Sequence, residues 1–226
     1  MKLKKPKFWD YKKPNLIAYF LWPISITLQL LNSLKKTTIS KKKFNNIKTI
    51  GIGNIYIGGT GKTSFSLKVF EILEKKKFKI CVIKKDYIDQ KKKKKEKKNL
   101  KKKGKLFKSN KRVIALQNAI KEKYEVAIFD DGLQDQTINY DLSFMCFNNL
   151  NWIGNGLTIP SGPLRENLKN IQNYSDIFIN GNLENLENIK NEILKINSNA
   201  NIYVGRYTPQ KLDKLNIKES YLVFSG

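Results

Sequence analysis

The chain has 226 residues, which is enough for one well-packed domain with a small appendage. An apolar fraction of 40% excludes a disordered chain, and the lack of histidine excludes catalysis by an imidazole of these 226 residues. The formal charge of +25 favours an anionic partner such as nucleic acid, a membrane surface or a phosphorylated substrate, although a lysine-rich composition accounts for part of it. Cys81 and Cys146 lie in apolar runs without metal-ligand or disulfide spacing, which indicates a reducing compartment.

Residues 1–40 form a segment of their own. Lysines and aromatic residues dominate residues 1–13, and no charge occurs from Asn15 to Ser33. Such a run is at the lower limit for crossing a bilayer, and Pro23 interrupts its middle. Lysines on both flanks and aromatic residues near its start predict a helix that lies in the membrane interface. A helix buried against the core is the alternative, and the sequence leaves open whether the helix spans the membrane.

A glycine-rich turn lies between an apolar run that predicts a strand and an apolar pattern that predicts a helix. Strand, turn and helix in this order form a phosphate-binding loop, whose backbone N–H groups face the phosphates of ATP. We expect Lys62 to reach the terminal phosphates and Thr63 to hold Mg²⁺. The predicted nucleotide-binding residues are Tyr56, Ile57, Gly58, Gly59, Thr60, Gly61, Lys62 and Thr63. Tyr56 replaces the first glycine of the strict motif, so an ordinary strand-to-helix turn is the alternative.

Residues 124–131 predict a buried strand that ends in two carboxylates, Asp130 and Asp131. Parallel strands of α/β sheets deliver such acids to the carboxyl edge, where ligands bind. We expect Asp130 to meet the Mg²⁺ held by Thr63, and both aspartates together to hold the metal and orient the attacking hydroxyl. Alone, the pattern also fits a strand that leaves the core.

Residues 154–166 are rich in glycine and proline and contain Arg165. Arg165 is one of three arginines, with Arg112 and Arg206, in a chain whose other basic residues are lysines. Because the planar guanidinium binds phosphate in a way that lysine cannot, we expect a catalytic role for Arg165. Pro163 favours the first position of a helix. A plain connector is the alternative.

The rest of residues 41–226 alternates between strand and helix patterns. Strands are predicted at 78–84, 141–147, 176–180, 202–204 and 221–224, helices at 111–123 and 183–196, and a solvated lysine-rich loop at 90–105. This alternation predicts an α/β fold, a P-loop NTPase-like parallel sheet with helices on both faces. Because the sequence stops where a strand ends, we expect a C-terminal lobe to be missing.

Three motifs together resemble the tetraacyldisaccharide 4'-kinase family of lipid A biosynthesis. They are Gly53-Asn54-Ile55 with Gly58–Thr63, Asp130-Asp131-Gly132-Leu133-Gln134, and Gly154-Asn155-Gly156 with Pro160–Glu166. The resemblance implies transfer of phosphate from ATP to the 4' hydroxyl of an acylated glucosamine disaccharide phosphate. It also implies a monomer at the cytoplasmic face of the inner membrane, with Lys62, Asp130, Asp131 and Arg165 in the active site. Charge alone also suggests a P-loop ATPase that acts on nucleic acid, but no specific nucleic acid is expected, because the lysine-rich run lacks the aromatic residues that stack on bases.

The sequence departs from the family pattern at positions linked to the acceptor. Asp135 stands where the family has histidine, the lysine-rich run replaces a Gly-Asp-Glu motif, and Lys84-Lys85-Asp86-Tyr87 replaces Ser-Arg-Gly-Tyr. The resemblance implies that the replaced aspartate, and a histidine from a C-terminal portion, take part in proton transfer. Asp131 or Asp86 is then the candidate base. A catalytically impaired or truncated nucleotide-binding relative at the membrane is the alternative function.

Overall fold

The structure is a computed structural model that describes residues 5–37, 39–85, 105–181 and 184–206. Residues 90–104 of the predicted lysine-rich loop, Asp86 and the predicted strand at 221–224 lie outside these ranges.

Within the described residues, seven parallel strands form one sheet. They are β1 (Lys48–Gly53), β2 (Ile80–Lys85), β3 (Lys105–Ser109), β4 (Val126–Asp130), β5 (Leu142–Asn148), β6 (Asp176–Asn180) and β7 (Asn201–Gly205). Their order across the sheet is β3-β2-β4-β1-β5-β6-β7, so the strand before the glycine-rich loop is central. On either side of β1 the chain winds in opposite directions, and a ligand crevice opens at the carboxyl ends of strands at such a point.

Helices cover both faces of the sheet. They are α1 (Leu16–Thr37), α2 (Lys62–Lys75), α3 (Arg112–Lys121) and α4 (Leu186–Ile196), with 3₁₀ turns at Lys7–Asp10 and Leu168–Asn173. Alternate residues of the strands face opposite sides: Ile128 of β4 packs in the cluster that α2 covers, whereas Ala127 and Phe129 pack with α3. Met145 and Phe147 of β5 pack with α4 in the same way. The predicted α/β fold with a parallel sheet is confirmed.

Most predicted elements within the described residues are present with ends shifted by a few residues. One strand was not predicted, and one helix prediction is wrong. Strand β3 was not predicted because it contains two apolar residues, Leu106 and Phe107, which are too few to show the alternation of a strand. The helix predicted to begin at Pro163 is wrong. The next residue, Leu164, instead forms single β-bridges with Tyr56 and Thr158. These bridges hold the segment next to the glycine-rich loop.

Helix α1 packs on the domain through a narrow stripe. Residues 16–34 are long and apolar enough to cross a membrane, and only 11% of that window is buried. The two buried positions of the stripe are Ala18 and Ser25. Helix α1 is therefore not a core helix, and the alternative of a helix buried against the core is wrong.

Candidate active site

The glycine-rich loop has backbone N–H groups without a protein acceptor. Gly58 has φ 154° and Gly61 has φ 78°, conformations that favour glycine. Among the described residues, the N–H groups of 58–61 donate no hydrogen bond, whereas the N–H of Ile57 donates to Pro163 O at 2.8 Å. Successive N–H groups without a protein acceptor, followed by the N-terminus of α2, are typical of an anion cradle.

Tyr56 has its side chain on the far side of this loop. It is 1% exposed and belongs to the apolar cluster between the sheet and α4. Its hydroxyl donates to Asp10 Oδ1 at 2.9 Å and accepts from Lys5. The tyrosine that replaces the first glycine of the strict motif therefore anchors the N-terminal segment, and its side chain stays out of the anion cradle.

Lys62 is the first residue of α2, and its side chain bends back across the loop. Its Nζ donates to Asn54 Oδ1 at 2.8 Å and lies 3.5 Å from Asp131 Oδ1. Burial lowers the pKa of the Lys62 ammonium below its ordinary value, and the carboxylate of Asp131 offsets this only in part. Asn54 thus orients the lysine side chain. The sequence did not predict this role, although Asn54 belongs to the motif Gly53-Asn54-Ile55 that supports the family resemblance.

Asp130 is the last residue of β4, and its carboxylate faces the start of α2. Its Oδ2 accepts from Thr63 Oγ1 at 3.2 Å and from Lys84 Nζ at 2.7 Å. Its Oδ1 is buried and makes no hydrogen bond among the described residues. A buried carboxylate oxygen without a donor beside a threonine hydroxyl is an arrangement that suits a cation.

These groups fit magnesium. In the described residues no three His, Cys, Asp or Glu side chains cluster as metal ligands. Mg²⁺ at nucleotide sites needs no such cluster, because one or two protein oxygens suffice when phosphates and water complete the shell. Thr63 and the orphan oxygen of Asp130 supply protein oxygens of this kind.

Asp131 turns its carboxylate towards the other side of the crevice. It adopts φ 60°, a left-handed conformation, and its Oδ1 lies 3.3 Å from an Arg165 guanidinium nitrogen. Burial alone would raise the pKa of Asp131, but the positive charges of Lys62, Arg165 and Arg112 outweigh it and hold the pKa below its ordinary value. Asp131 is therefore ionised at neutral pH.

Arg165 reaches the crevice from the 154–166 loop. The same guanidinium nitrogen that contacts Asp131 donates to Gln134 Oε1 at 2.9 Å. The backbone N–H of Arg165 donates to Ile55 O at 2.6 Å, which ties the loop to the segment after β1. Spacing in the sequence gave no indication of this backbone contact, because the two segments are far apart in the chain.

Arg112 begins α3 and is 4% exposed. Its guanidinium donates to the carbonyl of Asp131 at 2.6 Å and to Asp135 Oδ2 at 3.3 Å. Asp135 also accepts from Thr137. Asp135 therefore holds Arg112, which supports the left-handed turn at Asp131.

The structure thus brings together the predicted residues Lys62, Thr63, Asp130, Asp131 and Arg165 at the carboxyl edge of β1 and β4. The two aspartates have different partners: Asp130 contacts Thr63, whereas Asp131 contacts Lys62 and Arg165. Local sequence patterns did not predict Lys84 as a partner of Asp130. Only the order of the strands, which local patterns do not give, places β2 beside β4.

A central strand, a glycine-rich loop with lysine and threonine, and an acidic residue at the end of the adjacent strand define a P-loop nucleotide-binding domain. Comparison with known proteins gives the family. The profile described as tetraacyldisaccharide-1-P 4'-kinase (LpxK) matches residues 17–223. This protein belongs to that family.

Curated relatives agree over the whole chain. The tetraacyldisaccharide 4'-kinase of Pelagibacter ubique is 57% identical over 228 residues, covering 100% of this chain and 70% of the relative. The enzyme of the same name from Rickettsia typhi is 29% identical, covering 100% of this chain and 72% of the relative. The chain thus spans about seven tenths of the length of these relatives.

A solved structure supports the fold. The crystal structure of LpxK from Aquifex aeolicus, described as in complex with ATP, has a TM-score of 0.61 with this chain. The match covers 91% of this chain and 86% of that one at 17% sequence identity. This resemblance shows that the two proteins share a fold.

Proposed function

We propose that this protein transfers phosphate from ATP to the 4' hydroxyl of a tetraacylated glucosamine disaccharide 1-phosphate, a step of lipid A biosynthesis. Family membership supports the reaction, and the name of the Aquifex structure supports ATP as the donor. The observation that carries the proposal to this chain is the meeting of Lys62, Asp131 and Arg165 beside the anion cradle. Two cations around one carboxylate, next to free N–H groups, suit phosphoryl transfer, which depends mainly on positioning and charge neutralisation.

The loop and Lys62 bind the nucleotide. The N–H groups of 58–61 donate hydrogen bonds to phosphate oxygens, and Lys62 contacts the β- and γ-phosphates. Asn54 holds the lysine chain across the loop, so its ammonium is positioned before the nucleotide arrives. Burial of the ammonium strengthens its interaction with phosphate, because less water screens the charge.

Thr63 and Asp130 are the residues that would hold Mg²⁺. Bound there, the metal would neutralise charge on the β- and γ-phosphates. Tyr56 and Ile57 support the loop, Tyr56 through its buried ring and Ile57 through its hydrogen bond to Pro163.

Asp131 is the residue proposed to accept a hydrogen bond from the hydroxyl of the lipid substrate. Its carboxylate is ionised and lies between two cations, so it accepts a hydrogen bond more readily than it removes a proton. As the acceptor oxygen bonds to the γ-phosphorus and the bond to ADP breaks, the hydroxyl proton passes to Asp131. A weak base suffices for slow turnover, because orientation of the nucleophile matters more in this reaction than strong base catalysis. Arg165 then stabilises charge on the transferred phosphoryl group.

Helix α1 is proposed to attach the protein, as a monomer, to the cytoplasmic face of the inner membrane. Its exposed face carries large apolar side chains: Leu16, Ile17, Tyr19, Phe20, Trp22, Ile24, Leu30, Leu31 and Leu34. Its polar residues Ser25 and Gln29 face the domain instead. A helix with this division lies in the membrane interface, and the charge of +25 adds attraction to anionic lipids.

Phosphate transfer tests the proposal directly. The parent protein, given Mg·ATP and the tetraacylated disaccharide 1-phosphate in detergent micelles, is expected to form the bisphosphate. Lys62→Ala removes a charge-assisted contact with phosphate and is expected to lower the rate by about ten- to a hundredfold. Lys68→Ala is the matched control, because Lys68 lies on the same helix with its side chain 66% exposed.

The alternative is a relative that binds nucleotide at the membrane without catalysis. It is favoured by Asp135, which occupies the position of the family's histidine and is engaged with Arg112. Binding of Mg·ATP without phosphate transfer by the parent would establish the alternative. Absence of both binding and transfer would contradict the proposed function altogether.

A further inference from the structure

Lys84 and Asp130 form an ion pair in the interior of the candidate active site. Lys84 Nζ lies 2.7 Å from Asp130 Oδ2, and the Asp130 side chain is 2% exposed. The two residues are direct partners in the register of the parallel strands β2 and β4, so their side chains leave the sheet on the same face. The contact is therefore set by the sheet and does not depend on the conformation of a loop.

The ammonium of Lys84 contacts the carboxylate that is proposed to hold the metal ion. The oxygen that it contacts, Asp130 Oδ2, is also the acceptor for Thr63 Oγ1 at 3.2 Å. Thr63 and Asp130 are the residues proposed above to hold Mg²⁺. A divalent ion between them would place two positive groups against one carboxylate, where they repel each other.

A buried carboxylate must be compensated at every stage of the reaction cycle, because an unpaired buried charge is strongly destabilising. We infer that Lys84 and the Mg²⁺ that accompanies ATP are alternative cationic partners of Asp130. Lys84 neutralises Asp130 while the nucleotide site is empty, and on arrival of Mg·ATP its ammonium turns from the carboxylate to the phosphates. Lys84 is thus a positioning residue, and this inference rests on the proposed nucleotide site.

The inference predicts how the affinity for ATP depends on metal. Without Lys84, the uncompensated carboxylate of Asp130 lies beneath the phosphates and weakens the binding of metal-free ATP. With Mg²⁺ present, the metal compensates Asp130 and has no ammonium to displace, so binding is equal to or tighter than in the parent. The ratio of the Kd in EDTA to the Kd in Mg²⁺ is therefore expected to rise at least about tenfold in Lys84→Met.

Calorimetric titration of ATP, in EDTA and in Mg²⁺, measures this ratio. Lys85→Met is the matched control, because Lys85 is the next residue of β2 and is exposed. Lys84→Gln is the second variant: its amide can still donate to Asp130 but carries no charge, so the same rise is expected even if Lys84→Met does not fold. An equal rise in Lys85→Met would attribute the effect to the general loss of positive charge and would overturn the inference.

A second measurement uses MgCl₂ alone, without nucleotide. It is expected to raise the Tm of Lys84→Met and Lys84→Gln and to leave the Tm of the parent unchanged, since only the variants offer an unpaired carboxylate. If the parent binds Mg·ATP but the variants show its ratio of Kd values and its response to MgCl₂, Lys84 has only a structural role and the inference is wrong. If the parent shows no Mg²⁺-dependent binding of ATP, the proposed function is wrong as well.

Discussion

Ser25 Oγ lies 2.7 Å from Ser161 Oγ, and both serines are fully buried between α1 and the 154–166 loop. Ser25 also donates to Thr158 O at 3.0 Å and accepts from the Ser161 N–H at 3.1 Å. One small polar side chain thus fixes the apolar helix to the loop that carries Arg165. The apolar helix α1 and the loop that carries Arg165 to the candidate active site are connected through this contact.

Ser25→Ala is expected to loosen α1 without unfolding the domain. The substitution leaves the buried hydroxyl and N–H of Ser161 without the partner that they have in Ser25, at a cost of about 1–3 kcal/mol, whereas Thr158 O keeps the hydrogen bond from the Gly162 N–H. Hydrogen exchange measured by mass spectrometry should show faster exchange in α1 and in residues 154–166. Ser33→Ala is the control, because Ser33 is exposed and its hydroxyl donates to Leu30 O of the same helix. Equal exchange in Ser25→Ala and the parent would show that α1 is held by other contacts.

Phe20→Glu is expected to weaken attachment to membranes. Phe20 lies on the outer face of α1 and is 82% exposed, so the substitution leaves the folded domain intact. Burial of a phenylalanine side chain contributes about 1.5–3 kcal/mol, and its loss should lower partitioning to anionic vesicles at least about tenfold. Leu150→Glu changes the charge equally at another exposed apolar residue, 69% exposed, and serves as the control. If both variants partition alike, attachment is a matter of overall charge.

The parts of the site that lie in one continuous segment were predictable from the sequence, whereas contacts between distant segments were not. The glycine-rich loop and the acidic end of β4 were predictable because each is one continuous segment with a mechanism attached to its residue types. The ion pair of Lys84 with Asp130 was not, because it depends on β2 lying beside β4. The fold of the 154–166 loop also depends on distant partners: Trp9 donates to Pro160 O, and Gly154 packs where a Cβ would lie 2.2 Å from Trp9 O.

Two glycines of the phosphate-binding loop are expected to respond differently to alanine. Gly61 has φ 78° at the start of α2, where an L-residue is strained by roughly 1–2 kcal/mol. Gly59 has an ordinary φ, and a Cβ built on it would meet nothing within 4 Å. Gly61→Ala should therefore lower the free energy of unfolding in denaturant titrations by about that amount, with Gly59→Ala as the unaffected control. Equal stability of the two variants would contradict the left-handed conformation at Gly61.

Arg165→Lys is expected to lower phosphate transfer at least about tenfold with little change in Tm. One guanidinium nitrogen contacts both Asp131 and Gln134, which leaves the other N–H donors of the planar fork for a phosphoryl group; lysine keeps the charge but lacks this fork. The backbone hydrogen bond to Ile55 O does not involve the side chain, so the loop keeps its position. Arg206→Lys is the matched control, because Arg206 is exposed beyond the end of β7. The measurements are initial rates of phosphate transfer at saturating Mg·ATP and thermal melting curves. A variant as active as the parent would show that a point charge suffices at residue 165 and that the guanidinium has no catalytic role.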